Sequence, residues 1–176
     1  MPTRPAILVM LLVFGASITA PLPAASTPSS PQRTVSPTGY SAPLQPRPTV
    51  VRAFDNPRSR WLSGHRGVDL AAAPGSAVLA AGDGVVRFSG VVAGKSTVSL
   101  THPDGLITTY EPVTATVQRG QRVTVGTPIG TLLAGHPGCP VNACLHWGAR
   151  RGSGHSADYV NPLALLGAVR IRLKPV

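Results

Sequence analysis

Three residues in two short motifs form a set that could bind a metal ion. His65 and Asp69 lie four positions apart in the segment GHRGVD, and His146 lies in the segment CLHWG. Two imidazoles and one carboxylate suit zinc among the metals that proteins commonly bind. Three protein ligands leave the fourth tetrahedral position open for water, which distinguishes a catalytic zinc site from a structural one. We therefore expect one Zn2+ to be bound by these three side chains.

These motifs resemble those of the lysostaphin-type (LytM-like) zinc metalloendopeptidases, peptidase family 23, which cleave peptide cross-links in bacterial cell wall. The resemblance rests on the H-x-x-x-D motif that begins at His65, a glycine-rich stretch that favours strands, and the late Leu-His-Trp strand at His146. It extends over residues 50–166. It implies an antiparallel β-sheet core with a groove over one open sheet face, and a metal on the groove floor.

Two positions depart from that family's pattern. The family reads His-x-His at the last ligand and usually ends an earlier strand Tyr-x-His-Leu, and the two extra histidines act on the substrate or on the proton transfers. In this chain Cys144 and Pro112 occupy those positions. General acid–base help contributes about 10²–10⁴-fold to a rate, so we expect hydrolysis to be weak or absent. The alternative function is a non-catalytic wall-binding module or a regulator of another cell-wall hydrolase.

Four other residues are candidates for further roles at the site. Glu111 and His136 are weak candidates for a replacement base: Glu111 adjoins Pro112 but points to the opposite face on a regular strand, and His136 lies on a loop that could swing over the metal. Trp147 and Arg150 are candidate substrate contacts. The alternatives are packing for Trp147, which we favour, and a solvated strand-edge charge for Arg150.

The two cysteines, Cys139 and Cys144, are separated by four residues. In an oxidising compartment this spacing predicts a disulfide that closes a short loop. The competing interpretation leaves Cys144 reduced and in contact with the metal. A redox function is disfavoured, because the spacing is not the C-x-x-C of thiol oxidoreductases.

The start of the chain predicts export. Residues 1–25 have the charged, apolar and small-residue order of a secretory signal peptide. An uncleaved anchor is the alternative, although the apolar run is shorter than the ~20 residues that a spanning helix needs. Residues 26–48 are rich in Ser, Thr and Pro and predict a disordered linker. We expect the folded domain at residues 49–170, a tail at 171–176, and a secreted, extracytoplasmic protein.

Short strands must position the candidate site. Val-, Leu- and Thr-rich runs alternate with Gly, Pro, Asp and Asn, and no run of ten residues in the domain keeps a helical period. The predicted strands are residues 49–54, 77–81, 84–92, 97–101, 106–111, 121–125, 128–133 and 145–150. The pairs Asp83-Gly84 and Asp104-Gly105 predict hairpin-type turns, and residues 162–167 predict at most one helical turn. The fold class is therefore mainly β, an antiparallel sheet core with short loops and little helix.

The charge of the chain indicates the kind of partner. The net charge is +10, with only six acidic residues. Such a charge favours an anionic polymer, which for a secreted protein is peptidoglycan or another anionic part of the cell wall. The sequence contains no nucleic-acid-binding helix or aromatic platform, so nucleic acid is not an expected partner. The oligomeric state is left open.

Overall fold

The computed structural model describes residues 38–59 and 61–167, and this part of the chain is mainly antiparallel β-structure, as predicted. Its strands are β1 Thr49–Arg52, β2 Gly67–Ala71, β3 Ala77–Leu79, β4 Gly84–Val92, β5 Lys95–Thr101, β6 Ile107–Glu111, β7 Val113–Ala115, β8 Arg122–Val123, β9 Pro128–Leu132, β10 Cys144–Arg151 and β11 Asp158–Val160. Two short 3₁₀ helices, Gly154–Ser156 and Pro162–Leu166, complete it. No helix in this part of the chain is long and apolar enough to cross a membrane.

The strands form two sheets. The larger sheet has the order β1-β2-β10-β6-β5-β4-β8, with β11 paired to β10, and the smaller sheet has the order β3-β9-β7. Every pairing between these strands is antiparallel. The strands β2 and β10, which carry the two motifs, lie next to each other near the middle of the larger sheet, although about 75 residues separate them along the chain.

Turn chemistry accounts for the hairpins of the larger sheet. Asp104-Gly105 joins β5 to β6, as predicted, and Gly105 has a φ of 78°. Ala93-Gly94 joins β4 to β5 with positive φ at both residues, the geometry of the two-residue turns that match strand twist. Asp83-Gly84, predicted as a hairpin turn, instead links β3 of the smaller sheet to β4 of the larger one. That prediction was wrong because a dipeptide cannot show which sheet each flanking strand joins.

One hydrophobic cluster joins the two sheets. Along β10, Leu145 and Trp147 are fully buried in this cluster, while the alternate residues His146 and Arg150 are partly exposed. The period of two residues thus assigns one face of β10 to the core and leaves the other face for the site. Residues of the smaller sheet in the same cluster are Val78, Val113, Ile129 and Leu132.

The packed domain begins before Thr49, which corrects the boundary of the predicted linker at residues 26–48. Tyr40 and Leu44 are buried in the core, at 7% and 2% exposure. The Ser41 N–H donates to the Ala81 carbonyl at 2.7 Å. The proline-rich composition gave no sign that Tyr40 and Leu44 are buried, because isolated apolar residues become buried only through contacts with residues distant in sequence. The predicted signal peptide, the linker residues 26–37 and the tail lie outside the described residues.

Candidate metal centre

Sheet register brings two of the three candidate ligands together. On adjacent strands β2 and β10, Asp69 and His146 are direct cross-strand partners. Cross-strand partners point to the same face and lie within about 5.5 Å of each other. On the other side of β10, His146 is paired with Glu111 of β6. Asp69, His146 and Glu111 therefore form one row across the same face of the larger sheet.

The third ligand, His65, is held just before β2. Its backbone forms an isolated antiparallel bridge with Asp55, with N···O distances of 2.7 and 2.9 Å. Its Nδ1 lies 2.7 Å from the Ala53 carbonyl oxygen. An N–H donated to that carbonyl fixes the tautomer and aims Nε2 at Asp69. Metal-binding histidines are commonly oriented in this way by a carbonyl on the far side of the ring.

The three ligand atoms converge tightly. The His65 Nε2 lies 2.9 Å from Asp69 Oδ1 and 3.1 Å from His146 Nδ1, and the latter two atoms are 2.8 Å apart. Ligands bound to zinc at ~2.0 Å in a tetrahedron are separated by ~3.3 Å. Within the described residues, the second carboxylate oxygen of Asp69 is buried without a hydrogen-bond partner. The donor set and this orphaned oxygen both fit a zinc ion.

The electrostatics of Asp69 agree with a ligand that is ionised before metal binding. Burial raises the pKa of this fully buried carboxyl, but hydrogen bonds from His136 and His146 and the neighbouring His65 ring outweigh burial. Together they hold the pKa of Asp69 well below its usual range. A carboxylate binds a metal ion in its deprotonated form, and the neighbouring histidines favour that form of Asp69.

A glycine pair on β2 and β10 makes room for the imidazole of His146. Gly67 and Gly148 are cross-strand partners next to the ligand row. A Cβ at position 67 would lie 2.6 Å from both the His146 Nε2 and the Trp147 carbonyl oxygen. At position 148 the nearest atom, the Arg66 carbonyl oxygen, would be 3.4 Å away, an ordinary contact. Only Gly67 is therefore required by the close approach.

A groove continues from the metal centre along the sheet. A cavity of about 210 Å³ next to His146 is lined by Arg66, Thr109, Glu111, Gly148, Ala149, Arg150 and Tyr159. A second cavity of about 630 Å³ shares Arg66 and Tyr159 with the first and adds Arg58 and His155. The Arg66 guanidinium lies 5.6 Å from the centre of the Tyr159 ring. The candidate substrate contact Arg150 thus lines this groove, and its role stays a prediction.

The orientation of Glu111 differs from the prediction. Glu111 faces the groove in the row with His146, because it is the last residue of β6 and is in register with that ligand. Its carboxylate is held by the Lys95 ammonium at 3.1 Å and the Thr97 hydroxyl at 3.4 Å. The sequence predicted that Glu111 points away from the metal, on the assumption that residues 111 and 112 alternate along one regular strand. That prediction was wrong, because β6 ends at Glu111 and β7 begins only at Val113. The sequence did not single out Lys95, which follows the β4–β5 turn and belongs to no motif.

The two tryptophans beside the ligands differ. Trp147 is fully buried in the core on the face of β10 opposite the metal centre. The substrate-contact assignment for Trp147 was therefore wrong, and the favoured packing interpretation is confirmed. Trp61, four residues before His65, is instead 85% exposed.

The cysteines form the predicted disulfide, Cys139–Cys144, with Cα atoms 5.7 Å apart. Cys144 is fully buried, and its sulfur is bonded to Cys139, so the competing interpretation as a metal-binding thiolate does not hold. A disulfide sulfur neither donates nor accepts a catalytic proton. Pro112, at the other departure from the family, has a ring in place of an imidazole, and its carbonyl accepts the Leu133 N–H at 3.0 Å.

His136 lies against the ligand cluster. Its Nε2 is 3.4 Å from Asp69 Oδ1, and its ring stacks on that of His146 with the centroids 5.5 Å apart. The tight cluster of ligand atoms comprises the other three residues, and His136 is just outside it. The loop does bring this histidine over the centre, and its function stays a prediction.

Sequence comparison defines the family. The profile of Peptidase family M23 matches residues 63–162, which include all three candidate ligands. The chain belongs to peptidase family M23. An uncharacterized protein of Mycobacterium tuberculosis H37Rv is 57% identical over 134 residues, which is 76% of this chain and 54% of that protein. An uncharacterized protein of Mycobacterium bovis matches equally. The chain therefore spans about half the length of the curated relatives it matches.

Solved structures give the same fold. Helicobacter pylori Csd3 is similar at 27% identity and a TM-score of 0.53, over 72% of this chain and 34% of that chain. The catalytic domain of the antimicrobial peptidase lysostaphin from Staphylococcus simulans is similar at 21% identity and a TM-score of 0.56. That match covers 68% of this chain and 92% of the lysostaphin domain, and it shows the fold alone. The expected LytM/lysostaphin-type sheet core of this M23 domain is thereby confirmed.

Proposed function

We propose that this chain is a secreted, zinc-binding M23 domain directed at bacterial peptidoglycan, with weak or absent hydrolytic activity. The observation that carries the proposal is the contrast within one site. His65, Asp69 and His146 converge with separations of 2.8–3.1 Å, whereas the family resemblance assigns its other two histidines to the positions of Pro112 and the disulfide-bonded Cys144. In this proposal the domain retains three metal ligands and lacks the two histidines that assist proton transfer in the family.

The ligand set supports one zinc ion per chain. When bound there, zinc would polarise a peptide carbonyl and lower the pKa of water. The chain's own contribution is to hold the three ligands: β2 and β10 fix Asp69 and His146 by register, and the Ala53 carbonyl orients His65. The proposal predicts loss of metal when any one of these ligands becomes alanine.

The groove residues support weak or absent peptide hydrolysis. Glu111 faces the groove, but its two carboxylate oxygens accept from the Lys95 ammonium and the Thr97 hydroxyl, so both are already engaged within the protein. Without a donor for the leaving amine, peptide hydrolysis loses about 10²–10⁴-fold for each missing acid–base group. Binding then remains the main activity of the domain, as a wall-binding module or as a regulator of another cell-wall hydrolase.

The charge along the groove supports an anionic ligand. The basic residues Arg58, Arg66, Arg150 and His155 line the two cavities, and the acidic residues of the same linings are Glu111 and Asp158. Guanidinium groups pair well with the carboxylates that peptidoglycan stem peptides carry. The net charge of +10 would add long-range attraction to the wall.

Sedimentation with purified sacculi, combined with zinc analysis, tests the proposal. The mature protein should carry about one zinc, and His65→Ala, Asp69→Ala and His146→Ala should each lose it. Arg58→Glu with Arg150→Glu should reduce sedimentation. The matched control is Arg87→Glu, an exposed arginine of β4 that lines neither cavity. Unchanged zinc content in all three ligand variants, or equal loss of binding in the Arg87 control, would refute the assignment.

A further inference from the structure

His136 lies on a largely exposed loop. Residues 133–143 connect β9 to β10, and within them the buried residues are His136 and, directly before β10, Ala143. The His136 carbonyl accepts the Cys139 N–H at 3.1 Å, and Cys139 is joined to Cys144 at the start of β10. The disulfide thus fastens the loop to the strand that carries His146, and the turn at Cys139 holds His136 beside the metal centre.

The side chain of His136 has weak polar support, because its Nε2 reaches Asp69 Oδ1 only at the long distance of 3.4 Å. Within the described residues its Nδ1 is buried without a partner, and its side chain is 6% exposed. A buried polar atom without a hydrogen-bond partner is unfavourable. A metal bond would replace the long contact that Nε2 makes with Asp69, and Nδ1 would stay the nitrogen that faces away from the ion.

One distance from His136 matches the edge of a zinc tetrahedron, although its nitrogen lies outside the tight cluster of the other three ligand atoms. Its Nε2 lies 3.4 Å from Asp69 Oδ1, close to the ~3.3 Å edge of a zinc site with ~2.0 Å bonds. Two imidazoles on one tetrahedral zinc have ring centres ~5.2 Å apart by the same geometry. The observed centres are 5.5 Å apart for His136 and His146, and 4.9 Å apart for His65 and His146. Because the ring of His136 stacks on that of His146, it must turn and move closer before both imidazoles can bind one ion.

We propose that His136, held by the Cys139–Cys144 loop, is the fourth protein ligand of the zinc ion and closes the position that a hydrolytic site leaves to water. This inference rests on the proposed function, since it requires zinc at His65, Asp69 and His146. Four protein ligands characterise structural zinc sites, and three with an open position characterise catalytic ones. The loop would thereby convert an open peptidase centre into a closed one. The same Cys144 that replaces a family histidine would anchor the replacement ligand.

Cobalt substitution tests the closure without any activity assay. Cobalt(II) reports coordination through its visible spectrum, and azide is a small anion that binds an open metal position. The variants are His136→Ala and His136→Phe, the second of which keeps a ring to stack on His146. The matched control is His155→Ala, which removes an exposed loop histidine.

The native protein and the His155→Ala control should bind one cobalt with a spectrum that azide does not change. Both His136 variants should bind zinc about tenfold or more weakly and should gain an azide-dependent spectrum. An azide-dependent spectrum in the native protein, or native zinc affinity in His136→Phe, would overturn the assignment of His136. A native protein that binds neither zinc nor cobalt would instead refute the proposed function itself.

Discussion

The close approach at Gly67 gives a sharp prediction. In Gly67→Ala, the new Cβ would lie 2.6 Å from the His146 Nε2 and 2.6 Å from the Trp147 carbonyl oxygen, whereas ordinary contact begins near 3.4 Å. The carbonyl belongs to the β10 backbone and cannot rotate away, so the strand or the imidazole must shift. Overpacking of this kind costs about 1–3 kcal/mol of unfolding free energy in the metal-free protein.

The same shift moves a metal ligand. Disturbing the support of a ligand typically lowers metal affinity about 10–100-fold, which is about 1.4–2.7 kcal/mol. Urea unfolding with and without a chelator separates the two effects, and competition with a chromophoric chelator gives the zinc affinity. Gly148→Ala is the matched control, because its Cβ would meet nothing nearer than 3.4 Å, and it should change stability by no more than about 0.5 kcal/mol. Native zinc affinity and stability in Gly67→Ala, or an equal loss in Gly148→Ala, would refute the reasoning.

Three further predictions concern the core, the metal and pH. Leu44→Ala should lower the unfolding free energy by about 2–5 kcal/mol, because Leu44 is only 2% exposed. The control Val50→Ala should cost far less, because Val50 is 37% exposed. Equal costs in urea unfolding would contradict a packed domain that begins before Thr49. Removing zinc with a chelator should lower the thermal midpoint, because a ligand at 1,000 times its Kd adds about 4 kcal/mol; calorimetry checks this, and an unchanged midpoint contradicts it. Burial lowers the pKa of His102 in the folded state. The contribution of this histidine to the free energy of unfolding is therefore fully present above the unfolded pKa of about 6.5, and it is lost as the pH falls through the folded pKa. The pH slope of unfolding free energy should therefore be smaller in His102→Asn, and an identical slope would contradict this.

Much of the fold could be predicted from local pattern. The β4 strand, Gly84–Val92, matches its prediction residue for residue because a long Val-rich run is bounded by turn residues. The β2 strand, Gly67–Ala71, was recognised through its ligand motif and not as a strand, since GVDLA contains a glycine and an aspartate that disfavour strands. Its neighbours β1 and β10 impose the conformation, and β10 is distant in sequence.

The site likewise contains residues that the sequence pattern predicts and residues whose positions depend on contacts distant in sequence. His65, Asp69 and His146 could be predicted because the family resemblance, the motif spacing and the strand face all indicate them. The direction of Glu111 and the depth of His136 could not, since each depends on where a strand ends or how a loop is fastened. The disulfide was predicted from spacing, but its consequence for His136 follows only from the position of the loop over Asp69.

Turnover of sacculi by the zinc-loaded native protein tests the central claim most directly. The measurement counts new amino groups released from cross-linked peptide, with a chelator-treated sample as the blank and lysostaphin on a susceptible wall as the positive control. The account predicts that the protein binds the sacculi and releases no more amino groups than the blank. Robust, chelator-sensitive release by the unmodified chain would contradict it, because that result would require an open metal position and a proton-transfer group.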